Sequence, residues 1–357
     1  MTRHALFIGL SAAGHGGIQG FNRRVIAALD RLGVASNTLM LADAASVPGG
    51  FAGDRERFAR VIVRHARGSQ VLLVGHLNLL PFALLYRLLN PAGRVILFAH
   101  GIEVWGDPAY RAARRWEPAL LRRVVDRVAV VSRYSLGLMA RAFHVAEERF
   151  TLFPNAVDLG PPLLRSPGAS TILAVTRLGA GEREKNVDKL VWALPQVLRH
   201  LPHARLVVIG DGALREELQE LARTLGIGDS IDLPGAVDRD VLERAYATAA
   251  VFALPSSKEG FGIVYLEAWA NGLPVIGSRF GAAGEVIDDG VDGITVDPAD
   301  APSLADALVR LLRDPERAAK MGAAGRAKVE RLYSGEAFVA NLGALLTDTM
   351  RARRTLR

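Results

Sequence analysis

The chain has 357 residues, half of them apolar, 23% charged and none of them cysteine. That length exceeds one ordinary core and fits two domains of roughly 150 to 200 residues, while the missing thiol excludes disulfides and cysteine chemistry and fits a reducing compartment. The net charge of +7 is uneven: residues 1–160 hold 20 arginines, no lysine and 11 acids, a balance of +9, and the remainder stands at −2. An anionic surface is therefore expected opposite the first half alone.

The N-terminal "MTRHALFIGLSAAGHGG" has an apolar run too brief for a signal-peptide core or a membrane span. Strand-length apolar runs follow at 5–10, 37–41, 70–76, 94–100 and 127–132. Between the first two, Ile18, Phe21, Val25, Leu29 and Leu32 recur at helical spacing. The longest hydrophobic stretch, 71–89, contains His76, Asn78, Pro81 and Arg87, so it reads as strand, loop and helix. A proline-rich segment at 158–170 reads as a linker, and a second series of runs begins beyond it, at 171–178, 204–212, 251–257, 273–278 and 293–298. Continuous apolar strands between helices predict parallel sheets covered on both faces. The expected fold class is α/β: two doubly wound, Rossmann-like domains facing each other across a cleft, with ligands beyond the carboxyl ends of the strands.

Residues at those strand ends carry the candidate chemistry. The first glycine loop, "SAAGHGGIQG", resembles a dinucleotide turn, but Gln19 stands where the last small residue belongs and no acid ends the next strand to take a ribose. A dehydrogenase is disfavoured. Gly16 and Gly17 then either admit a ligand to the backbone at a helix N-terminus or serve loop geometry alone. Arg177 and Lys185 offer a planar fork and a point charge, a pair suited to a diphosphate, or they are solvated loop charges. The GxxxxGK[ST] loop of P-loop nucleotidases is absent.

"KEGFGIVYLEA" is the most informative segment. Gly260 and Gly262 permit a sharp turn, and the amides of Phe261, Gly262, Ile263 and Val264 suit phosphate oxygens. Glu259 can accept hydrogen bonds from sugar hydroxyls. Glu267, inside an apolar helix, requires a partner because an uncompensated buried carboxylate costs several kcal/mol; a vicinal diol such as a ribose supplies two donors, and a buried Arg or Lys is the alternative.

Glu259 and Glu267 form a Glu-x7-Glu pair. Together with "GGIQGFNRRVIAAL", "HGIEVW" at 100–105, "FPNAVD" at 153–158, "TRL…EKNVDKL", "VIGDGALREELQELA" and "EVIDDGVDGITVDP", it makes nearly the whole chain resemble the retaining GT-B glycosyltransferases of family four (group 1), which include bacterial polysaccharide and phosphatidylinositol mannosyltransferases. The resemblance implies that Glu267 binds the nucleotide ribose and Glu259 the donor sugar. Arg177 and Lys185 neutralise the departing diphosphate in place of a metal, an electrostatic role. His100 touches the donor sugar near its reacting face, unless it is packed there by chance, and Gly17 brings its amide to the diphosphate or acceptor. Asp211 and Gly212 shape the cleft. With no Asp-x-Asp motif, neither a metal nor another cofactor is expected.

The implied activity is retaining hexosyl transfer, best mannose from GDP-mannose, to a lipid-linked or oligosaccharide acceptor in cell-surface polysaccharide synthesis. A UDP-sugar transferase (glucosyl, galactosyl or GlcNAc) and a non-catalytic sugar-nucleotide or membrane-binding relative are the alternatives. Residues near the base are expected around "LPGAV", 233–237, and "FALPSS", 252–257. No carboxylate is placed as a covalent nucleophile, which favours front-face displacement.

The arginine excess has a possible use as well. Arg57, Arg60, Arg64 and Arg67 share one helical face, and Arg111, Arg114, Arg115, Arg122 and Arg123 surround Trp116. Such faces suit an anionic membrane, or they are solvated arginines of compositional origin. Nucleic acid is disfavoured, since the basic segments lack interleaved aromatics. The expected organisation is residues 1–160 for the acceptor and membrane, 161–340 for the nucleotide sugar, and 341–357 as a helix and basic tail that frays, touches membrane or crosses back. The expected location is cytoplasmic, peripheral on the inner face of the plasma membrane.

Overall fold

Sheet strands buried on both faces need apolar side chains at every position, and the continuous runs of this sequence meet that demand. A computed structural model describes residues 4–14, 16–101, 103, 114–161 and 170–352. It divides into two units, Met1–Ala156 with Gly335–Arg357, and Val157–Ser334.

In unit 1 the strands are β1 (His4–Gly9), β2 (Ala35–Met40), β3 (Val71–Val74), β4 (Arg94–Ala99), β5 (Arg127–Val130) and β6 (Phe150–Leu152). They form a parallel sheet in the order β2-β1-β3-β4-β5-β6. The helices are α1 (Gly17–Arg31), α2 (Arg55–Ala66), α3 (Leu80–Leu89), α4 (Glu117–Val124) and α5 (Arg133–Phe143). Alternate strand residues serve the two faces: Leu6, Ile8, Leu72, Val74 and Leu97 join Phe58, Ile62, Ala83 and Leu121 on one side. On the other, Phe7, Leu73, Ile96 and Phe98 meet Phe21, Val25 and Leu29 of α1.

Unit 2 holds β7 (Thr171–Val175), α6 (Val187–His200), β8 (Arg205–Ile209), α7 (Leu214–Thr224), β9 (Ile231–Gly235), α8 (Arg239–Thr248), β10 (Val251–Leu254) and α9 (Ile263–Ala270). Then come β11 (Val275–Ser278), α10 (Ala283–Val286), β12 (Gly293–Val296), α11 (Ala301–Arg313) and α12 (Pro315–Leu332). Its parallel sheet has the order β12-β11-β10-β7-β8-β9.

The last helix, α13 (Gly335–Arg351), returns to unit 1, where Phe338, Leu342, Leu345 and Leu346 complete the face covered by α1. Residues 353–357 of the basic tail, 162–169 of the predicted linker, Arg111, and Ile102, Val104 and Trp105 of "HGIEVW" lie outside the described residues.

Two strands are absent from the sequence reading, β6 and β9, and each stands at a sheet edge. β6 has three residues, and β9, "IDLPG", alternates in exposure and carries a proline. Neither presents a continuous run. Several predicted runs also overshoot: β3 ends at Val74 and β10 at Leu254, because the residues beyond them turn away from the sheet into loops.

Candidate active site

In unit 2 the chain leaves β10 at Leu254 and re-enters regular structure at Ile263, the first residue of α9. Gly262 makes the turn possible: its φ is +91°, and a Cβ added there would lie 2.4 Å from the Tyr265 ring. The N-terminus of α9 has no side-chain cap and no acidic residue in its first turn, so its amides and positive dipole end are available to an anion. Phe261 is buried against Tyr333, with ring centroids 5.6 Å apart.

Glu259 and Glu267 follow the loop and helix as expected, but their environments differ. Glu259 is buried and receives Lys185 Nζ at 2.5 Å. Lys185 reaches it because two loops are tied together: Asn186, in the left-handed conformation, donates through Nδ2 to the Pro255 carbonyl at 2.8 Å and to Ser257 Oγ at 3.1 Å. The amide of Ser257 donates to the Glu184 carbonyl at 2.9 Å. A charge pair so enclosed exerts most of its attraction on its own members.

Glu267 is met by a hydroxyl that the sequence reading missed. Tyr246 Oη donates to Glu267 Oε2 at 3.0 Å. Burial, then the charge of Glu267, pushes the Tyr246 phenol well above its ordinary pKa. Tyr265 is likewise pushed well up, by burial first and then by Glu259.

Arg177 and Lys185 each meet their own carboxylate. Arg177 Nη2 lies 2.5 Å from Glu182 Oε1, with the arginine side chain largely exposed and Glu182 buried. The second oxygen of Glu182 is buried, with no hydrogen-bond partner among the described residues.

The candidates of unit 1 gather at the carboxyl ends of β1 and β4. Gly16 stands before α1 with φ +147°, and Gly17 opens the helix. Asp43, buried just beyond β2, accepts the Ser11 hydroxyl and the amides of Ala12, at 3.0 Å, and Ala13, at 3.3 Å. Asn22 donates to the Ser11 carbonyl at 2.8 Å and Arg23 to those of Ala12 and Gly14 at 2.6 and 2.9 Å. His100 is half-buried; its Nε2 donates to the Gly75 carbonyl at 3.0 Å, and its ring meets Phe21 edge-on at 4.8 Å. The carboxylate of Glu103 accepts the His100 amide with both oxygens at 3.0 Å.

Two family models account for most of the chain. One, described as Glycosyltransferase Family 4, matches residues 16–160, and one described as Glycosyl transferases group 1 matches residues 167–328. A GDP-mannose-dependent alpha-(1-6)-phosphatidylinositol monomannoside mannosyltransferase of Mycolicibacterium smegmatis is 35% identical over 300 residues, 77% of this chain and 76% of that protein. The chain belongs to glycosyltransferase family four.

A related mannosyltransferase of Corynebacterium glutamicum, acting on the monoacylated lipid by its name, is 31% identical to this glycosyltransferase over 76% of this chain and 74% of its own. Among solved structures, Alr3699/HepE of Anabaena in complex with UDP superposes with a TM-score of 0.76 at 17% identity, over 96% of this chain and 99% of that one. Sucrose-phosphate synthase of Thermosynechococcus elongatus does so with 0.75 at 23% identity, over 98% and 100%. The two-unit α/β architecture is the GT-B fold.

Of the basic faces, Arg57, Arg60, Arg64 and Arg67 are exposed along and just past α2, and Arg114, Arg115, Arg122 and Arg123 are exposed around α4. Trp116 is 40% exposed beside Arg114, whose guanidinium lies 5.7 Å from its ring. Among the described residues, no helix is long and apolar enough to cross a membrane.

Proposed function

We propose that this glycosyltransferase moves mannose from GDP-mannose to a lipid-linked or oligosaccharide acceptor, retaining the anomeric configuration and using no metal ion. The observation that carries the donor is the 35% identity, over 300 residues, to a GDP-mannose-dependent phosphatidylinositol monomannoside mannosyltransferase. A glycolipid acceptor of that kind is therefore the first to assay.

In this reading Glu267 takes the ribose diol and Glu259 the donor sugar. The amides of Phe261, Gly262, Ile263 and Val264, beyond Gly260, face the diphosphate. Arg177 and Lys185 neutralise the charge that develops there as the bond to the sugar breaks. His100 touches the donor sugar, and Gly16 with Gly17 brings a backbone amide to the diphosphate or acceptor. The acceptor hydroxyl attacks the anomeric carbon on the face that the diphosphate leaves; the carbon–oxygen bond to phosphate breaks, the glycosidic bond forms, and the acceptor's proton passes to the departing phosphate oxygen. The products are the mannoside and GDP. A glycosyl-enzyme trapped on any carboxylate would remove this mechanism.

Residues 1–160 take the acceptor, and residues 161–340 the nucleotide sugar. The exposed arginines of α2 and around α4, with Trp116 beside Arg114, suit an anionic cytoplasmic leaflet, where the protein acts peripherally. Calorimetry with GDP and UDP, with and without EDTA, tests the donor, followed by turnover of labelled GDP-mannose and UDP-glucose. GDP binding that EDTA leaves intact, with transfer from GDP-mannose alone, is the expected result. Turnover of UDP-glucose instead assigns the UDP-sugar alternative, and nucleotide binding without turnover assigns a non-catalytic relative.

A further inference from the structure

Tyr246 belongs to none of the segments that carry the family resemblance, yet its surroundings are as closely built as those of the carboxylates. It lies on α8 and is 3% exposed. Its ring stacks on Phe252 at 6.1 Å with 25° between planes. Phe252 in turn meets Tyr265 edge-on at 6.0 Å, and the Tyr265 hydroxyl donates to the Leu254 carbonyl at 2.7 Å. This row of rings fixes the phenol against β10 and α9. From that position Oη reaches one oxygen of Glu267, Oε2, at 3.0 Å.

A phenol has one proton to give, whereas an ionised carboxylate accepts about four hydrogen bonds. A donor held in place by its stacked ring therefore biases the plane in which the carboxylate lies while occupying one of those positions. We infer that Tyr246 is a positioning residue for nucleotide recognition: it pins Oε2 of Glu267 and thereby sets the orientation in which that carboxylate meets a ribose diol. The inference rests on the ribose reading of Glu267 given above. Burial and the neighbouring charge keep the proton on the phenol, so the donor is present throughout the neutral range.

The test is calorimetry on the full chain with GDP and with 2′,3′-dideoxy-GDP, on wild type, Tyr246→Phe, Glu267→Ala and the double variant, with UDP and its dideoxy analogue substituted if UDP is the tighter ligand. Phenylalanine keeps the stacked ring and removes only the hydroxyl. Tyr246→Phe is expected to weaken GDP about tenfold, the scale of one hydrogen bond to a charged group, while leaving dideoxy-GDP unchanged. Added to Glu267→Ala it is expected to cause no further loss, and in turnover it raises KM for the donor with kcat little changed. Equal weakening of both nucleotides, a further loss in the Glu267→Ala background, or undiminished GDP affinity would each overturn the inference and leave Tyr246 a strut between α8 and α9. If Glu267→Ala itself weakens GDP and dideoxy-GDP alike, the ribose reading falls first, and the role of Tyr246 with it.

Discussion

The glycine turn of unit 1 and that of unit 2 both lead from a strand end into a helix, but they differ in the polar groups packed around them. At the turn from β1 to α1, Asp43 collects a hydroxyl and two amides, while Asn22 and Arg23 hold three carbonyls. That loop is held largely by contacts within the chain. At the turn from β10 to α9 the nearby charges Lys185 and Glu259 are paired with each other, and the helix beyond has no side-chain cap. Both helices begin without a side-chain cap, so what sets the second turn apart is the buried charge pair beside it and the bonds of Asn186 and Ser257 that tie it to the Glu184–Asn186 segment. A glycine pattern alone reports a tight turn; the polar groups around it, an acceptor for amides in one case and a charge pair in the other, come from distant parts of the chain.

Four perturbations sharpen that difference. Lys185→Ala strips Glu259 of its buried counter-charge, which costs about 3 kcal/mol, and removes a cation from the proposed diphosphate site, lowering transfer by about 10²–10³. Denaturant titration and kcat measure the two effects separately; unchanged stability would mean that the pair is solvated. Gly262→Ala forces a Cβ into the Tyr265 ring at positive φ, a strain of about 1–3 kcal/mol, and is expected to lower both the melting temperature and nucleotide affinity. Asp43→Ala leaves the amides of Ala12 and Ala13 without their acceptor at about 1–3 kcal/mol, and, acting on nucleotide only through the loop that carries Gly16 and Gly17, it should lower nucleotide affinity less than Gly262→Ala. Calorimetry on the two variants side by side shows whether the turns are as unlike as their hydrogen bonds.

The smallest effect is alkaline. Tyr333 is pushed up to about 12, mainly by burial and then by Glu285 and Asp288, and Tyr246 and Tyr265 in the same unit are also raised. Below pH 10 these phenols are protonated whether the chain is folded or not. As the pH rises from 10 toward 12 the unfolded chain releases protons that the fold retains, so stability falls by about 1.4 kcal/mol per pH unit for each such tyrosine. Unit 1 has Tyr86, also raised, chiefly by burial. Hydrogen exchange above pH 10 is therefore expected to show unit 2 opening before unit 1; the reverse order would indicate that the buried phenols do not govern alkaline unfolding.

The inner strands were legible because burial on two faces leaves a continuous apolar signature. β6 and β9 were not, since an edge strand needs neither length nor uninterrupted hydrophobicity. At the site, Glu259, Gly262 and Glu267 could be read together because one turn and one helix carry them all. Their partners could not: Lys185 comes from a loop 74 residues away and Tyr246 from another helix, and pairings of that kind are set by the sheet order rather than by local pattern. The buried support of Asp43 beneath the first glycine turn was hidden for the same reason.

The placement of α13 bears on the order in which the molecule is made. Phe338 joins Phe21 and Phe153 in an aromatic cluster, and Leu342, Leu345 and Leu346 close the same face. Emerging from the ribosome, the first 156 residues thus carry an unfinished apolar surface through the synthesis of all of unit 2. Unit 2 is contiguous and can complete its core as soon as it is made, whereas unit 1 waits for residues near 346 before its last layer arrives. The part translated first is the part whose folding ends last, and a ribosome stalled between residues 157 and 334 would display a nascent chain with that face still open to chaperones.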